Sequence, residues 1–396
     1  MKIVKAETLH ADGGYRSCSY LKLSTDEGLV GWSEFYDSFS GARIDPLIQD
    51  FARTAVGMDP RQFGRVSETL IATTRLAAGG LAQQAIAAIE NACLDIAGKA
   101  MGVPVHTLLG GPLRDRVPVY WTHCGSYRVG PREDFYAKLG HPPIRTLQDL
   151  TDVAREAVAQ GYRAVKTNPV FFDKPKPYFF SGGFRPAPGF LDRSINDRQL
   201  AAIQEQMIAY REAVGPNVGL MLDVSFSQRT EGYLRIAQRL EHLNLAWLEL
   251  DINDAEALAL IRRHARVPIA SLESLHGVAE YRPFLQNQSV DTCIVDPMWN
   301  GVWQSARIAA FADAHETTMA PHNPVGELGN LMSLHLSAAV PNLRIMELRV
   351  DEAPWTRDFL THPPKVENGE MLVPHRPGWG TDIDEIALRA HPVRGH

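Results

Sequence analysis

The sequence contains few cysteines, and they lie far apart. Only four occur among 396 residues, and no two of them form a CxxC pair. The spacing therefore predicts neither a zinc site built from paired thiolates nor a disulfide framework. We expect the four to be small buried side chains. They are Cys18, Cys93, Cys124 and Cys293.

Long apolar runs and an excess of basic charge are also missing. Apolar stretches such as residues 76–89 are interrupted by polar residues, and none approaches the ~20 residues of a membrane span. The 40 basic and 46 acidic side chains give a formal net charge of −6, which does not favour nucleic acid or an anionic membrane. The first residues enter strand-like sequence without an apolar signal region. We expect a cytoplasmic protein with small-molecule partners, no nucleic-acid partner and no membrane partner.

The first 115 residues change character midway. Strand-like alternation over 3–9, 19–23 and 31–35 is followed after Asp45 by a helical period, and residues 81–101 form a helix pattern that stops at Gly102. A meander followed by helices is typical of an α+β domain.

From about residue 117, short apolar runs alternate with stretches of helical period. The runs are 117–124, 164–168, 218–223, 246–251, 268–273, 291–296, 318–322 and 344–348. Continuous apolar strands alternating with helices indicate a parallel sheet covered on both faces, and eight such units favour a β/α barrel. A doubly wound sheet has the same local pattern, but no GxGxxG follows the first strand. Residues 352–396 lack a long periodic run, and we expect them to pack on the first domain.

One segment, 171–197, interrupts the barrel rhythm with clustered aromatic, basic, proline and glycine residues. Loops of this length are uncommon unless they have a function. A lid or pocket wall at the barrel mouth and a contact between subunits both remain open.

Ionisable residues stand at the carboxyl ends of seven of the apolar runs. They are Lys166, Asp223, Glu249, Glu273, Asp296, His322 and Glu347. Barrel enzymes build their sites at this end of the strands, so these side chains are expected to converge on one pocket.

Three of these residues, Asp223, Glu249 and Glu273, follow one another at about one βα unit. Three crowded carboxylates without a cation would raise their own pKa values, whereas a hard divalent cation takes oxygen ligands and leaves positions for a substrate. The pattern predicts one Mg²⁺ per subunit. The alternative is that one of the three carboxylates forms an ion pair instead.

Two proton carriers flank this trio. His322, with Asp296 on the preceding strand, is expected to be an acid or base that works near neutral pH, because a neighbouring carboxylate fixes its tautomer and raises its proton affinity. Lys166 lies on the other side. His123 has no such partner in sequence and is a candidate pocket wall.

Several motifs resemble the mandelate racemase and muconate lactonizing enzyme family of the enolase superfamily. They are the strand-end series from Asp223 to Glu347, the segments 88–96 and 108–111, and Trp247-Leu248-Glu249. The resemblance implies a modified (β/α)7β TIM barrel over 116–351, an α+β capping domain over 1–115, a C-terminal segment 352–396 that completes it, and a homo-oligomer. It also implies Mg²⁺ held by Asp223, Glu249 and Glu273, and a Glu347 that carries a proton and binds the substrate carboxylate.

The resemblance further implies removal of the proton α to a carboxylate, with the ene-diolate stabilised by Mg²⁺ and a Lys or His base. The family often has Lys-x-Lys on the second strand, whereas this chain has Lys166-Thr167-Asn168. Asn168 cannot remove a proton, which disfavours racemisation, and Lys-x-Asn resembles sugar-acid dehydratases in which the asparagine helps hold the substrate carboxylate. Lys166 either binds that carboxylate or acts as the opposing base.

The hypothesis is therefore an Mg²⁺-dependent acid-sugar dehydratase that yields a 2-keto-3-deoxy acid. Its alternatives are an epimerase or racemase, a cycloisomerase of a sugar lactone or anhydrosugar acid, and a sugar-acid-binding protein without catalysis. The remaining candidate substrate contacts are polar residues of the capping domain and of the loops after the sixth and seventh strands. They are Tyr15, Arg16, Tyr36, Asp37, Ser38, Ser40, Trp299, Asn300 and Asn323.

Overall fold

The computed structural model describes residues 1–37, 44–180, 193–323 and 326–393. The chain begins with three antiparallel strands in the order β1-β2-β3. They are β1 (Ile3–Asp12), β2 (Ser17–Thr25) and β3 (Val30–Phe35). The predicted meander is confirmed, with longer strands than the alternation indicated.

Helices follow this sheet. They are α1 (Asp45–Ala55), α2 (Phe63–Thr73), α3 (Gly80–Met101) and α4 (Val105–Leu108). Of these, α1 and α3 pack against the sheet. Leu21 and Phe35 of the sheet share a buried apolar core with Ile86 and Ile89 of α3. The predicted helix is confirmed. It ends where Gly102 takes a left-handed conformation with φ 69°, which glycine adopts without steric cost.

Parallel strands form the second part of the chain, with one short hairpin between the second and third of them. The strands are β4 (Arg116–Trp121), β5 (Ala164–Thr167), β6 (Val170–Phe171), β7 (Tyr178–Phe179), β8 (Gly219–Asp223), β9 (Trp247–Glu249), β10 (Ile269–Ser271), β11 (Thr292–Val295), β12 (Thr318–Pro321) and β13 (Met346–Leu348). All eight predicted apolar runs overlap a barrel strand, and β4 begins one residue before its run.

Helices separate the parallel strands. They are α5 (Glu133–Lys138), α6 (Leu147–Ala159), α7 (Asp197–Val214), α8 (Thr230–Leu240), α9 (Ala255–His264), α10 (Gly277–Gln286), α11 (Pro297–Asn300), α12 (Val302–Asp313) and α13 (Glu327–Ala339). The sheet runs from β12 back to β4, β13 pairs with β4, and an isolated parallel bridge joins Met319 of β12 to Leu343, three residues before β13. The sheet thus closes on itself as a (β/α)7β barrel.

The C-terminal segment contacts both parts of the molecule. It holds the hairpin β14 (Val366–Glu367) and β15 (Glu370–Leu372) and the helix α14 (Glu385–Ala390). Glu385 pairs with Lys22 of β2, in keeping with the predicted packing on the first domain. Strand β15 also pairs antiparallel with barrel strand β4, a contact that the sequence pattern did not indicate. The domain boundaries at 115/116 and 351/352 stay predictions.

The interrupting segment 171–197 begins in a hairpin. Strands β6 and β7 pair antiparallel through Val170 with Phe179 and Phe171 with Tyr178. Residues 181–192 lie outside the described residues, and the choice between a lid and a subunit contact stays open.

Two expectations from composition can be compared with the structure. All four cysteines are free and buried, as predicted. Within the described ranges, no helix combines the length and apolar character needed to cross a membrane.

Candidate active site

The barrel interior has an apolar layer, and ionisable side chains form the layer above it. The apolar layer consists of Tyr120, Ala164, Met221, Trp247, Ala270, Ile294 and Ala320. Successive side chains on a strand point to opposite faces, so the residue two positions further on points into the same interior. For most strands that residue is one of the predicted site residues: Lys166, Asp223, Glu249, Asp296 and His322.

Glu273 departs from this alternation by one residue. The position two beyond Ala270 is Leu272, which is buried and has φ 93°. This left-handed backbone changes the direction of the chain, and Glu273 reaches the interior instead. Its Oε2 lies 3.4 Å from Nε2 of His322, so the two side chains are neighbours in the barrel interior.

Lys166 lies between two buried carboxylates. Its Nζ donates to Oε1 of Glu249 at 2.7 Å and lies 3.1 Å from Oε1 of Glu347. Burial alone would lower the pKa of Lys166, but these two carboxylates raise it well above its usual range. Lys166 is therefore a cation that neutralises charge in the site.

The three carboxylates predicted to bind Mg²⁺, those of Asp223, Glu249 and Glu273, repel one another. Asp223 and Glu249 are partners in the register of the neighbouring strands β8 and β9. Burial raises the pKa of Glu249 to about 8, with Lys166 opposing and Asp223 and Glu273 adding to the rise. Burial also raises the pKa of Glu273, against the effect of His322.

A fourth buried carboxylate, Asp251, was missed by the sequence analysis. Burial, followed by the charges of Glu273 and Asp223, raises its pKa well above the usual range. It ends the fourth apolar run, two residues after Glu249, so the alternation of β9 extended by one step would have found it.

The donor chemistry of this group fits a hard cation, since Mg²⁺ takes carboxylate oxygens and a cation relieves the repulsion among buried acids. Within the described residues, however, no three acidic, histidine or cysteine side chains stand close enough to hold a metal as they are. Glu249 accepts from Lys166 and from Nε1 of Trp247, and Asp223 accepts from Ser225 and Asn168. A bound cation would replace part of these hydrogen bonds.

His322 and Asp296 form the predicted pair. Each follows the last residue of its strand by one position, and Val295 and Pro321 are register partners, so the two side chains lie side by side. Nδ1 of His322 donates to Oδ2 of Asp296 at 2.8 Å. Burial acts to lower the pKa of His322, but Glu273 and Asp296 raise it to about 10.

Asp296 is itself fixed by the start of α11. Its Oδ1 accepts from the backbone N–H of Met298 at 2.7 Å and of Trp299 at 3.0 Å. With one oxygen holding the helix and the other holding His322, the carboxylate leaves Nε2 of His322 as the atom that faces the site. The ring of Trp299 lies against His322, with centroids 5.1 Å apart.

Asn168 positions a carboxylate, although the sequence predicted that it would hold the substrate carboxylate. Its Nδ2 donates to the backbone oxygen of Asp223 at 3.1 Å and to Oδ2 of the same residue at 3.0 Å. Its Oδ1 accepts from Ser126 and is 2.7 Å from Nδ1 of His123. These contacts fill the hydrogen-bonding capacity of the amide. His123, a candidate pocket wall from sequence, thus has a partner after all.

The expectation that Glu347 carries a proton is wrong for this structure. Burial acts to raise its pKa, but Lys166, followed by His322 and His123, lowers it to about 2. Glu347 is therefore ionised, and its Oε2 accepts from the backbone N–H of Asn323 at 2.8 Å. The position of Lys166 beside Glu347 depends on which strands become neighbours and has no signal in the sequence.

The predicted capping-domain contacts lie around the barrel mouth. Arg16 is buried and forms an ion pair of 2.7 Å with Glu352, so its charge is already compensated. The guanidinium of Arg349, next to the end of β13, lies 4.4 Å from the ring centroid of Tyr15. Burial raises the pKa of Tyr36, while the charge of Arg16 acts to lower it and that of Asp296 to raise it. Ser38 and Ser40 lie outside the described residues.

The chain forms a closed β/α barrel with an α+β cap. Buried carboxylates, a lysine and a His–Asp pair stand at the carboxyl ends of the barrel strands. These features together are typical of the enolase class of barrel enzymes. Comparison with known families agrees. Residues 149–387 match the model described as enolase C-terminal domain-like, and residues 13–110 match the N-terminal domain of mandelate racemase/muconate lactonizing enzyme. The chain belongs to the mandelate racemase/muconate lactonizing enzyme family.

Relatives span nearly the whole chain. A D-galactonate dehydratase family member of Streptomyces bingchenggensis is 29% identical over 98% of this chain and 93% of its own length. A D-xylonate dehydratase of Haloferax volcanii is 28% identical over 100% and 90%. A crystal structure from Burkholderia xenovorans strain LB400, provisionally assigned as an L-alanine-DL-glutamate epimerase and bound to magnesium and fumarate, is 40% identical with a TM-score of 0.93, covering 99% and 96%.

Proposed function

We propose that this enzyme is an Mg²⁺-dependent acid-sugar dehydratase, which removes the proton α to a carboxylate and releases the β-hydroxyl to give a 2-keto-3-deoxy acid. The observation that carries the proposal is the asymmetry of the two sides of the site. On one side His322 is supported by Asp296 and presents Nε2 to the pocket. On the other side Lys166 is held as a cation between two carboxylates, and Asn168 has no acid–base chemistry.

Asp223, Glu249 and Glu273 would hold the Mg²⁺, with Asp251 close by. When bound, the cation supplies positive charge where the substrate carboxylate gains negative charge as the α-proton leaves. Curated relatives that are dehydratases of sugar acids support this reaction class, and the magnesium in the 40% identical structure supports the metal.

Side chains of the enzyme carry the proton that leaves the α-carbon. Against the effect of burial, Glu273 raises the pKa of His322. This effect is offset when Glu273 holds a cation, so that Nε2 of His322 is unprotonated and takes the proton from the α-carbon. Nε2 then gives the proton to the departing β-hydroxyl, which leaves as water. Asp296 keeps Nδ1–H in place, so the ring exchanges protons only through Nε2. Lys166 offsets the charge of the substrate carboxylate. One proton carrier is sufficient for dehydration, because the proton removed from carbon leaves with oxygen.

The assignment of the 40% identical structure favours epimerisation as a second candidate. Epimerisation requires a proton acceptor on one face of the α-carbon and a donor on the other. In this chain that would require Lys166 to act as the second carrier.

The reaction is tested by incubating the enzyme with Mg²⁺ in D₂O and a panel of sugar acids and their lactones. NMR and mass spectrometry then report keto-acid formation and deuterium at the α-carbon. We expect a 2-keto-3-deoxy acid from one diastereomer. Isomer or exchange without keto acid would contradict dehydration and support an epimerase or cycloisomerase. Magnesium binding by calorimetry without exchange or turnover of any compound would support a sugar-acid-binding protein.

His322→Asn removes the proposed proton carrier while keeping a polar side chain of similar reach. We expect turnover to fall by about 10³-fold or more, within the range that general acid–base groups contribute, with the magnesium affinity retained. His264→Asn changes an exposed histidine on α9 and should leave turnover unchanged. Native turnover in His322→Asn would show that the pair has been misassigned.

A further inference from the structure

Three planar groups stack outward from the metal side of the site. The rings of His123 and Tyr127 are parallel within 8°, with centroids 3.6 Å apart. The guanidinium carbon of Arg132 lies 3.9 Å from the same Tyr127 centroid. Two groups this close to one ring must occupy its opposite faces, because atoms cannot overlap. Since His123 contacts Asn168, which holds Asp223, the stack leads from the metal side to Arg132.

Arg132 differs from the other arginines of this region. Arg16 and Arg349 pair with Glu352 at 2.7 and 3.2 Å, and Arg128 pairs with Asp351 at 2.7 Å. Among the described residues, no carboxylate pairs with Arg132. Outside them, the sequence has one further acidic side chain, Asp192.

A second hydrogen-bond donor without an acceptor lies beside Arg132. The guanidinium carbon of Arg132 is 5.3 Å from the ring centroid of Tyr15, and the Tyr15 hydroxyl is buried with no hydrogen-bond partner among the described residues. Tyr15 belongs to the turn between β1 and β2, and Arg132 to the loop after β4. The cation of Arg132 and the ring that carries this hydroxyl are thus neighbours where the turn between β1 and β2 meets the loop after β4.

The stack links Arg132 to the carboxylates at the strand ends. Only the ring of Tyr127 separates Arg132 from His123. Nδ1 of His123 is 2.7 Å from Oδ1 of Asn168, and Nδ2 of Asn168 donates to Asp223. Arg132 is therefore separated by few side chains from the carboxylates that would bind the reacting end of a substrate.

We propose that Arg132, with the Tyr15 hydroxyl, binds a carboxylate at the end of the substrate remote from the carbon that loses its proton, and that the substrate is a sugar diacid. A planar guanidinium matches a carboxylate with two parallel hydrogen bonds. The inference rests on the proposed function, because it takes the first carboxylate of the substrate to lie at the metal side. It goes beyond that function by naming the charge of the distal end.

The kinetic test compares sugar diacids with monoacids of the same configuration. We expect wild-type kcat/KM to favour the diacid, and Arg132→Gln to raise KM for the diacid by about 100-fold, as expected for a lost charge-assisted pair, with kcat and the monoacid values little changed. Arg132→Lys should recover part of the loss. Arg155→Gln, an exposed arginine on α6, is the control. Preference for the monoacid, or equal losses for both classes, would overturn the inference.

A binding test separates this inference from the proposed reaction. Calorimetry in Mg²⁺ would measure the unreactive saturated dicarboxylates from succinate to adipate against monocarboxylates of equal length. We expect at least 10-fold tighter binding of a dicarboxylate, lost in Arg132→Gln. That result without turnover of any sugar acid would reject the dehydratase and keep the distal carboxylate site. Equal affinities of the two classes for the wild type would reject the site whatever the reaction.

Discussion

The positive charge of Lys166 neutralises part of the charge of two buried carboxylates. Lys166→Met would leave Glu249 and Glu347 without their cation, and breaking a buried pair in this way costs about 3–5 kcal/mol. We expect urea unfolding, measured with a chelator present, to give an unfolding free energy lower by this amount. Mg²⁺ should stabilise Lys166→Met more than the wild type, because a bound cation restores part of the missing positive charge. Equal stability of the two proteins in chelator would contradict this account of the site.

Glu249 is the residue through which metal binding is most directly tested. Glu249→Gln keeps the shape of the side chain and removes its charge. Because carboxylate charge governs affinity for hard cations, we expect Mg²⁺ affinity to fall by about 100-fold or more. We also expect turnover to be lost. Calorimetric titration with Mg²⁺ measures the first effect. Glu256→Gln on the exposed face of α9 is the matched control. Full activity of Glu249→Gln would refute the metal assignment.

Among the elements, α3 of the capping domain holds the start of a barrel helix. Glu90 on α3 accepts from Ser67 and, through Oε1, from the backbone N–H groups of Trp303 and Gln304 at the beginning of α12. The carboxylate thus caps α12 from another domain, and it is fully buried. Despite these hydrogen bonds, burial raises the pKa of Glu90 to about 7.

This pKa predicts a pH dependence of stability. A carboxyl whose pKa is higher in the folded than in the unfolded protein stabilises the fold below its unfolded pKa, and that stabilisation is lost as the pH rises through its folded pKa. With folded and unfolded values of about 7 and 4.5, the loss is about 3 kcal/mol at most. Glu90→Gln cannot titrate, so wild-type stability relative to it should fall between pH 4.5 and 7.

The comparison is made by urea unfolding at several pH values. Other buried acids such as Glu34, whose pKa burial also raises to about 7, are present in both proteins and cancel in the difference. Glu68→Gln on the exposed face of α2 is the control. A difference between wild type and Glu90→Gln that does not change with pH would contradict the buried-acid account.

The elements and most of the site were predictable because their signals are local. The alternation of β8 and β9 points to Asp223 and Glu249, and the helix stop at Gly102 marks the end of α3. The left-handed Leu272, which moves Glu273 into the site, has no such signal, since it is a leucine and not a glycine. The contacts of Asn168 with His123 and of Glu90 with α12 depend on which strands and domains become neighbours. Local periodicity does not carry that information.

In the whole molecule, Asp95 joins three separate parts of the chain. It accepts at 2.9 Å each from the backbone N–H of Trp32 in β3 and of Trp379 in the C-terminal segment. It also pairs with Lys99, which reaches Asp382. Asp95→Ala would leave two buried N–H groups without acceptors at about 1–3 kcal/mol each.

We therefore expect Asp95→Ala to lower the unfolding free energy by several kcal/mol and to loosen the C-terminal segment. Limited proteolysis and urea unfolding would show both effects, and kcat of the folded fraction should change little because the partners of Asp95, namely Trp32, Trp379 and Lys99, are not site residues. Asp95→Asn, which keeps one acceptor oxygen, should be intermediate. Wild-type stability in Asp95→Ala would show that these bonds do not hold the three parts together.

The pairing of β4 with β15 means that the sheet around β4 can be completed only after β15 has been synthesised. Strand β4 is made well before the partner of its first residues, Glu370–Leu372. On the ribosome these residues of β4 therefore lack this strand partner until residues 370–372 have emerged. Such long-range pairing slows folding, and a nascent chain stalled before residue 370 would expose an open edge to chaperones and to other nascent chains.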